Sequence, residues 1–211
     1  MALDLEEQEQ LAAIKSWWAQ YGRLVTVTIV GSLLAVGGIR GWYYYQSSQA
    51  ASAVTLFAQQ QAAERASDHK RVRDIGTEIV ERYGSTAYGT LAALSAAKSD
   101  FDTGDLAAAK TRLQWVIDRA REEEARDVAR LRLARILHDE KKTDEALKLL
   151  ETKHLDSFAG LYADLKGDLL LTQGKREEAR VAYQLALDRS DPGGPIRQII
   201  QLKLDAVGGT K

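Results

Sequence analysis

The chain contains no cysteine. That single absence removes disulfides, thiolate metal sites and cysteine nucleophiles. Histidine is also scarce, and His69, His138 and His154 share none of the i, i+3 or i+4 spacings that would hold one metal ion from one helix. Net charge is nearly absent as well. Lys+Arg number 29 against 30 Asp+Glu, so no global basic field exists to gather nucleic acid, and nucleic acid is not an expected partner. No glycine-rich phosphate loop follows a strand and no nucleophile elbow occurs. The acidic run Arg121 to Arg126 (REEEAR) reads as a solvated helix face. An enzyme is therefore not expected, and neither a cofactor nor a metal is implied. With only 2 prolines and few β-branched runs outside one segment, the composition favours helices.

That one segment runs from Leu24 to Ile39, LVTVTIVGSLLAVGGI, 16 residues (39 − 24 + 1) without a charge between Arg23 and Arg40. At about 1.5 Å per residue it covers roughly 24 Å of a hydrocarbon core about 30 Å thick, so the flanking arginines must snorkel outward. Trp17, Trp18 and Tyr21 precede the run, and Trp42, Tyr43, Tyr44 and Tyr45 follow it, as the two halves of an aromatic belt. The sequence therefore predicts an uncleaved transmembrane anchor. Two other readings compete. One is a buried core helix. The other is a signal peptide cut near Ala51-Ser52-Ala53, which the acidic residues Asp4, Glu6, Glu7 and Glu9 oppose. Lys15 and Arg23 outweigh Arg40, which predicts a cytoplasmic amino terminus. Gly31, Ala35 and Gly38 form a small-residue face that permits close approach of another membrane helix. Leu11, Ile14, Trp18 and Tyr21 give the preceding segment one apolar face. QSSQAASA, after Tyr45, reads as a polar connection or the start of the next helix.

Beyond that point apolar residues recur with helical period, interrupted at Gly84-Ser85, Gly104-Asp105, Lys142-Thr143-Asp144 and Gly174-Lys175. Ala109, Ala146 and Ala179 align at separations of 37 and 33 residues (146 − 109, 179 − 146). A helix-turn-helix unit of that length points to tetratricopeptide-type repeats. In the last copy Gly167, Gly174, Ala179, Tyr183, Ala186 and Pro192 fall in register. The middle copy keeps Leu133, Ala134, Leu137, Ala146 and Leu150, but has Lys141 where the turn glycine belongs. The earlier copy keeps Ala97, Gly104, Ala109 and Leu113, and a weaker one covers Ala50 to Tyr83. Pro195 to Val207 reads as a capping helix with one apolar stripe of Ile196, Ile199, Ile200, Leu204 and Val207, ended by Gly208-Gly209.

The expected organisation is all-α: an amphipathic segment at 1–22, an anchor at 23–45, and a repeat solenoid with its capping helix at 46–211. Solenoids act through their concave face, lined by the first helix of each unit. The register assigns to it Leu91, Leu94, Lys98 and Phe101; then Val128, Leu131, Arg135 and His138; then Leu161, Asp164, Asp168 and Leu171. This mixture suits a protein partner or an unfolded chain. The competing reading is that the helix after Tyr45 or the capping helix fills the groove.

The order of parts, with the element EEQEQLAAIKSWWAQYG from Glu6 to Gly22, the glycine-bearing span and the Trp42 to Tyr45 group, resembles the YfgM-type ancillary subunits of the SecYEG translocon. The resemblance extends along essentially the whole chain. It implies a single-pass bacterial inner-membrane protein with a periplasmic repeat domain. It also implies association with SecYEG and a membrane-anchored PpiD-type chaperone, and assistance to nascent exported chains, without catalysis. Lys15, Trp17 and Trp18, with Gly31, Ala35 and Gly38, are then the expected membrane and partner docking residues. The alternative is a membrane-anchored scaffold for envelope assembly or cell division.

Overall fold

A computed structural model describes residues 5–208, and their side chains except those of residues 5–8, 45 and 46. The expectations placed on Asp4 and Gly209 lie outside the described residues, and those on Glu6, Glu7 and the Tyr45 ring outside the described side chains. All regular structure among the described residues is helical, and the chain divides after Gln49 into two units.

The first helix, α1 (Leu5–Arg65), is continuous and crosses that division. The polar run after Tyr45 is therefore helix rather than a connection. In the amino-terminal unit Leu24, Val27, Leu33, Leu34 and Ile39 are all exposed, as an anchor that expects lipid on every side requires. Two hydroxyls within the span are satisfied by the helix itself: Thr26 Oγ1 donates to the Gly22 carbonyl at 2.7 Å and Thr28 Oγ1 to that of Leu24 at 2.9 Å. In a medium without water such bonds remove an otherwise unpaired donor. Among the described residues this is the one helix long and apolar enough to cross a membrane.

The second unit is built on one turn used four times. Ser67, Gly104, Lys141 and Gly174 have φ values of 54°, 82°, 66° and 75°. They are spaced 37, 37 and 33 residues apart (104 − 67, 141 − 104, 174 − 141). At each, the turn residue's N–H donates to the carbonyl three back, and the next N–H reaches five back, as in Asp105 to Asp100 and Lys142 to Leu137. This is the Schellman closure of a helix carboxyl terminus. It reverses the chain four times, pairing α1 beyond residue 50 with α2 (His69–Tyr83), α3 (Ala87–Asp102) with α4 (Leu106–Arg119), α5 (Glu123–Asp139) with α6 (Thr143–Leu150), and α7 (Ala159–Thr172) with α8 (Arg176–Asp188). The turn without glycine thus keeps the repeat geometry, because Lys141 takes the left-handed conformation itself. In the first two units an aspartate starts the second helix, Asp68 and Asp105 accepting from the N–H groups of Arg71 and Ala108. The last two have lysine there, and instead Asp144-Glu145 and Glu177-Glu178 in the first turn meet the helix dipole.

Paired helices meet at residues seven before and nine after the turn. The size relation inverts along the solenoid. In the first unit the large residue is on the first helix, where a Cβ on Gly76 would lie 2.6 Å from Gln60 Nε2. In the fourth it is on the second helix, where a Cβ on Gly167 would lie 2.5 Å from the Tyr183 ring. Between them the pairs are Ala97 with Leu113 and Ala134 with Leu150, each within one core cluster. Each of the first three clusters also takes side chains from the next unit's first helix, such as Ala92, Ala129 and Leu165. Stability is therefore passed from neighbour to neighbour. At the end α9 (Pro195–Ala206) supplies Ile200 and Leu204, with Val207 just beyond it, where a fifth unit would pack.

One expectation changes here. Ile196 and Ile199 are not part of the capping stripe, since Ile199 is 55% exposed and Ile196 borders an open cleft beside Leu161 and Pro195. Successive residues are about 100° apart on a helix, which rotates Ile199 away from the face that buries Ile200. The second half of the third unit is also short, with α6 followed by a loop and a 3-10 turn at Asp156–Phe158. Buried Asp127 organises that loop: its carboxylate accepts from Arg130 at 2.7 Å, the Leu155 N–H at 2.9 Å and the Tyr162 hydroxyl at 3.0 Å.

A left-handed residue with a Cβ costs about 1–2 kcal/mol. Lys141→Gly is therefore expected to raise the stability of the full-length protein by about 1 kcal/mol in urea denaturation, and Gly174→Ala to lower it by a similar amount. A loss of stability in Lys141→Gly would contradict this account of the turn.

Candidate functional site

The first helices α3, α5 and α7 present their carboxyl-terminal halves to one side, and the residues three and six before each turn line that surface. Two adjoining clefts result. The first, about 300 Å³, lies between α3 and α5 and includes Lys98, Phe101, Arg132 and Arg135. The second, about 400 Å³, continues from Phe101 and Arg135 to His138, Asp168 and Leu171. The structure thus brings together six of the residues expected in the groove: Lys98, Phe101, Arg135, His138, Asp168 and Leu171.

The remaining six are elsewhere, for a geometric reason. One turn earlier the first helices of successive units pack on one another. Leu131 is consequently a core residue, 6% exposed, and not a lining one. Leu94 and Leu161 are half-buried against the adjoining cores. Asp164 accepts from Lys203 of α9 at 2.8 Å and is engaged by the capping helix. Leu91 is exposed and Val128 half-buried, but neither borders the clefts. The capping helix therefore reaches the groove only at its last unit, and the helix after Tyr45 stacks as the first helix of the first unit instead of filling it.

The electrostatics vary along the groove. Asp168 is held by two donors, the Tyr183 hydroxyl at 2.7 Å and Lys203 Nζ at 2.8 Å, and the ammonium lies 5.6 Å from the centre of the Tyr183 ring. Burial, then the hydrogen bond to Asp168, pushes the Tyr183 phenol above its usual range. For Lys203, burial acts downward but the bonds to Asp164 and Asp168 outweigh it, and the ammonium titrates above its ordinary value. Between α3 and α5 the balance is positive. Lys98 bonds Asp102 at 2.9 Å, whereas Arg132 and Arg135 meet no carboxylate within ion-pair distance among the described residues. Burial, and then the neighbouring charge of Arg135, lower the pKa of the Arg132 guanidinium, with Glu64 opposing. Sequence reasoning missed Arg132, Ile136 and Tyr183 as lining residues. Arg132 stood one turn from Arg135 on the same helix, the spacing that should have drawn it in.

In the amino-terminal unit Trp17 lies against Trp18 and Tyr21, with ring centres 6.3 and 5.8 Å apart, and Trp18 covers Gly22. The Lys15, Trp17 and Trp18 positions therefore form one turn with an ordered aromatic cluster. A Cβ at Gly31 or Gly38 would meet nothing within 4 Å, and Ala35 is exposed, so the small-residue face is open among the described residues. Among the described residues no group of three or more His, Asp or Glu could hold a metal ion.

Core and lining positions should separate in mutants. Leu131→Ala is expected to lower stability by about 2–5 kcal/mol. Phe101→Ala and Leu171→Ala, at residues 45% and 42% exposed, should each change it by less than about 1 kcal/mol. Equal effects in urea melts would contradict the assignment. The raised folded-state values of Tyr183 and Lys203 give stability that is full below about pH 10 and is lost as pH rises through those values. Tyr183→Phe should flatten the decline of unfolding free energy above pH 10, and an unchanged slope would refute that role.

Residues 15–209 match the family described as Tetratricopeptide repeat-like domain. The chain is 32% identical over 200 residues to the ancillary SecYEG translocon subunit of Escherichia coli (strain K12), covering 94% of this chain and 95% of that protein. The protein of the same name from Neisseria gonorrhoeae is 29% identical over 212 residues, covering 98% of this chain and 100% of the relative. That from Aggregatibacter actinomycetemcomitans is 28% identical over 207 residues, covering 97% and 99%. With its repeats, its anchor and these full-length similarities, the chain belongs to the tetratricopeptide repeat-like family of ancillary SecYEG translocon subunits.

Proposed function

We propose that this protein is a non-enzymatic accessory subunit of the SecYEG channel, anchored in the bacterial inner membrane with its amino terminus in the cytoplasm and its repeat domain in the periplasm. The observation that carries the reading is the similarity to proteins named ancillary SecYEG translocon subunits over 94% of this chain, the anchor included. The excess of Lys15 and Arg23 over Arg40 supports the orientation. Lys15, Trp17 and Trp18, with the open face of Gly31, Ala35 and Gly38, are the surfaces for membrane partners. The groove of Phe101, Arg135, His138 and Leu171 docks a periplasmic partner: a membrane-anchored PpiD-type chaperone or, through it, exported chains.

Affinity purification of the tagged full-length protein in mild detergent tests this. SecYEG components and the chaperone are expected to co-purify. Trp17→Ala with Trp18→Ala should reduce SecYEG recovery, whereas Phe101→Glu with Leu171→Glu should reduce chaperone recovery and leave SecYEG in place. Absence of SecYEG from the wild-type eluate would overturn the proposal.

A further inference from the structure

Several buried or half-buried aspartates of the repeat domain meet a cation. Asp100 is bonded by Arg112 at 2.7 Å, Asp127 by Arg130 at 2.7 Å, and Asp164 and Asp168 by Lys203. The cleft between α3 and α5 departs from this. Arg132 donates to the Leu94 carbonyl at 3.2 Å, Arg135 has no hydrogen-bonded partner among the described residues, and Lys98 is already occupied by Asp102. Two like charges three residues apart on α5 thus border an apolar surface made by Phe101, Leu113 and Ile136. Like charges at this spacing disfavour the helix, and the partial burial of Arg132 adds to the cost of leaving it without a counter-charge, whereas Arg135 is exposed. Such an arrangement is relieved by an anion from outside. The volume, about 300 Å³, lies at the lower end of binding pockets, and the cleft continues through Phe101 and Arg135 into the second one. An elongated occupant fits this course better than a compact one.

We propose that the α3–α5 cleft receives an acidic side chain of a partner polypeptide on Arg132 and Arg135, while an adjacent apolar side chain of the same segment packs on Phe101, Leu113 and Ile136. This rests on the reading of the concave face as a docking surface and adds the chemistry of the docked segment. Guanidinium groups suit that role because their planar fork bonds carboxylate oxygens in pairs.

The test uses full-length protein in detergent and short, end-blocked fluorescent peptides in which Leu and Glu, or Leu and Gln, alternate in a serine background. Anisotropy is expected to show the Glu peptide binding at least about tenfold more tightly than the Gln peptide, a difference that falls with added salt. Arg135→Gln should abolish the difference, and Arg135→Lys, which keeps the charge but not the fork, should retain only part of it. Because the Arg135 guanidinium has no hydrogen-bonded partner among the described residues and repels Arg132, Arg135→Gln should not lower the melting temperature. Equal affinities for the Glu and Gln peptides would overturn the proposal. So would a Gln peptide with a free carboxyl terminus that matches the Glu peptide, since the arginines would then hold a chain end. A photocrosslinker at Phe101 in cells separates the two layers. An identified partner captured equally by wild type and Arg135→Gln keeps the docking surface but refutes its acidic ligand, whereas no captured partner refutes the docking surface itself.

Discussion

One constraint shapes the repeat domain: each first helix must end on a left-handed residue. Ser67, Gly104, Lys141 and Gly174 meet it with three residue types. Closure by the same pair of backbone bonds fixes the direction in which the second helix returns, and hence which residues meet at the crossing. The crossing then demands one small partner per pair, without specifying which helix carries it. Gln60 over Gly76 and Gly167 under Tyr183 are opposite solutions of the same steric requirement.

The same geometry determines what is left for binding. Where successive first helices pack, residues such as Leu131 and Leu165 become core. Nearer the turn the helices leave Phe101 and Leu171 exposed and His138 half-exposed, with Lys98, Arg135 and Asp168 beside them. Buried aspartates hold this framework: Asp100 ties α3 to Arg73 of α2 and Arg112 of α4, and Asp127 ties α5 to the loop before α7.

Much of this was legible in the sequence because the features have a period. Gly104 and Gly174 marked turns, the aligned alanines gave the unit, and the charge-free run between Arg23 and Arg40 gave the anchor. What escaped depends on relations that period does not encode. Lys141 adopts the glycine conformation without announcing it, and Ser67 does the same in the first unit. The loop after α6 follows from a buried carboxylate whose partners are up to 35 residues away. Ile196 and Ile199 share the spacing of the capping stripe but not its burial, and Leu202, 70% exposed, extends the apolar surface that they leave open. For the groove, spacing identified the correct helices and two of the four levels. At the other two, Leu94, Leu131 and Leu161 were lost to inter-unit packing and Asp164 to the capping helix, Leu91 and Val128 lie off the clefts, and Arg132 depends on the placing of α3 beside α5.

The helix from Leu5 to Arg65 supplies both the span and the first repeat helix. The central claim is that this chain is anchored with the groove on the exported side. Because the protein has no cysteine, single cysteines placed at Glu9 and at Phe101 can be labelled uniquely with a membrane-impermeant maleimide in cells whose outer membrane alone is permeabilised. The account predicts labelling of Phe101→Cys in intact inner membranes and of Glu9→Cys only after lysis. The reverse pattern would contradict it.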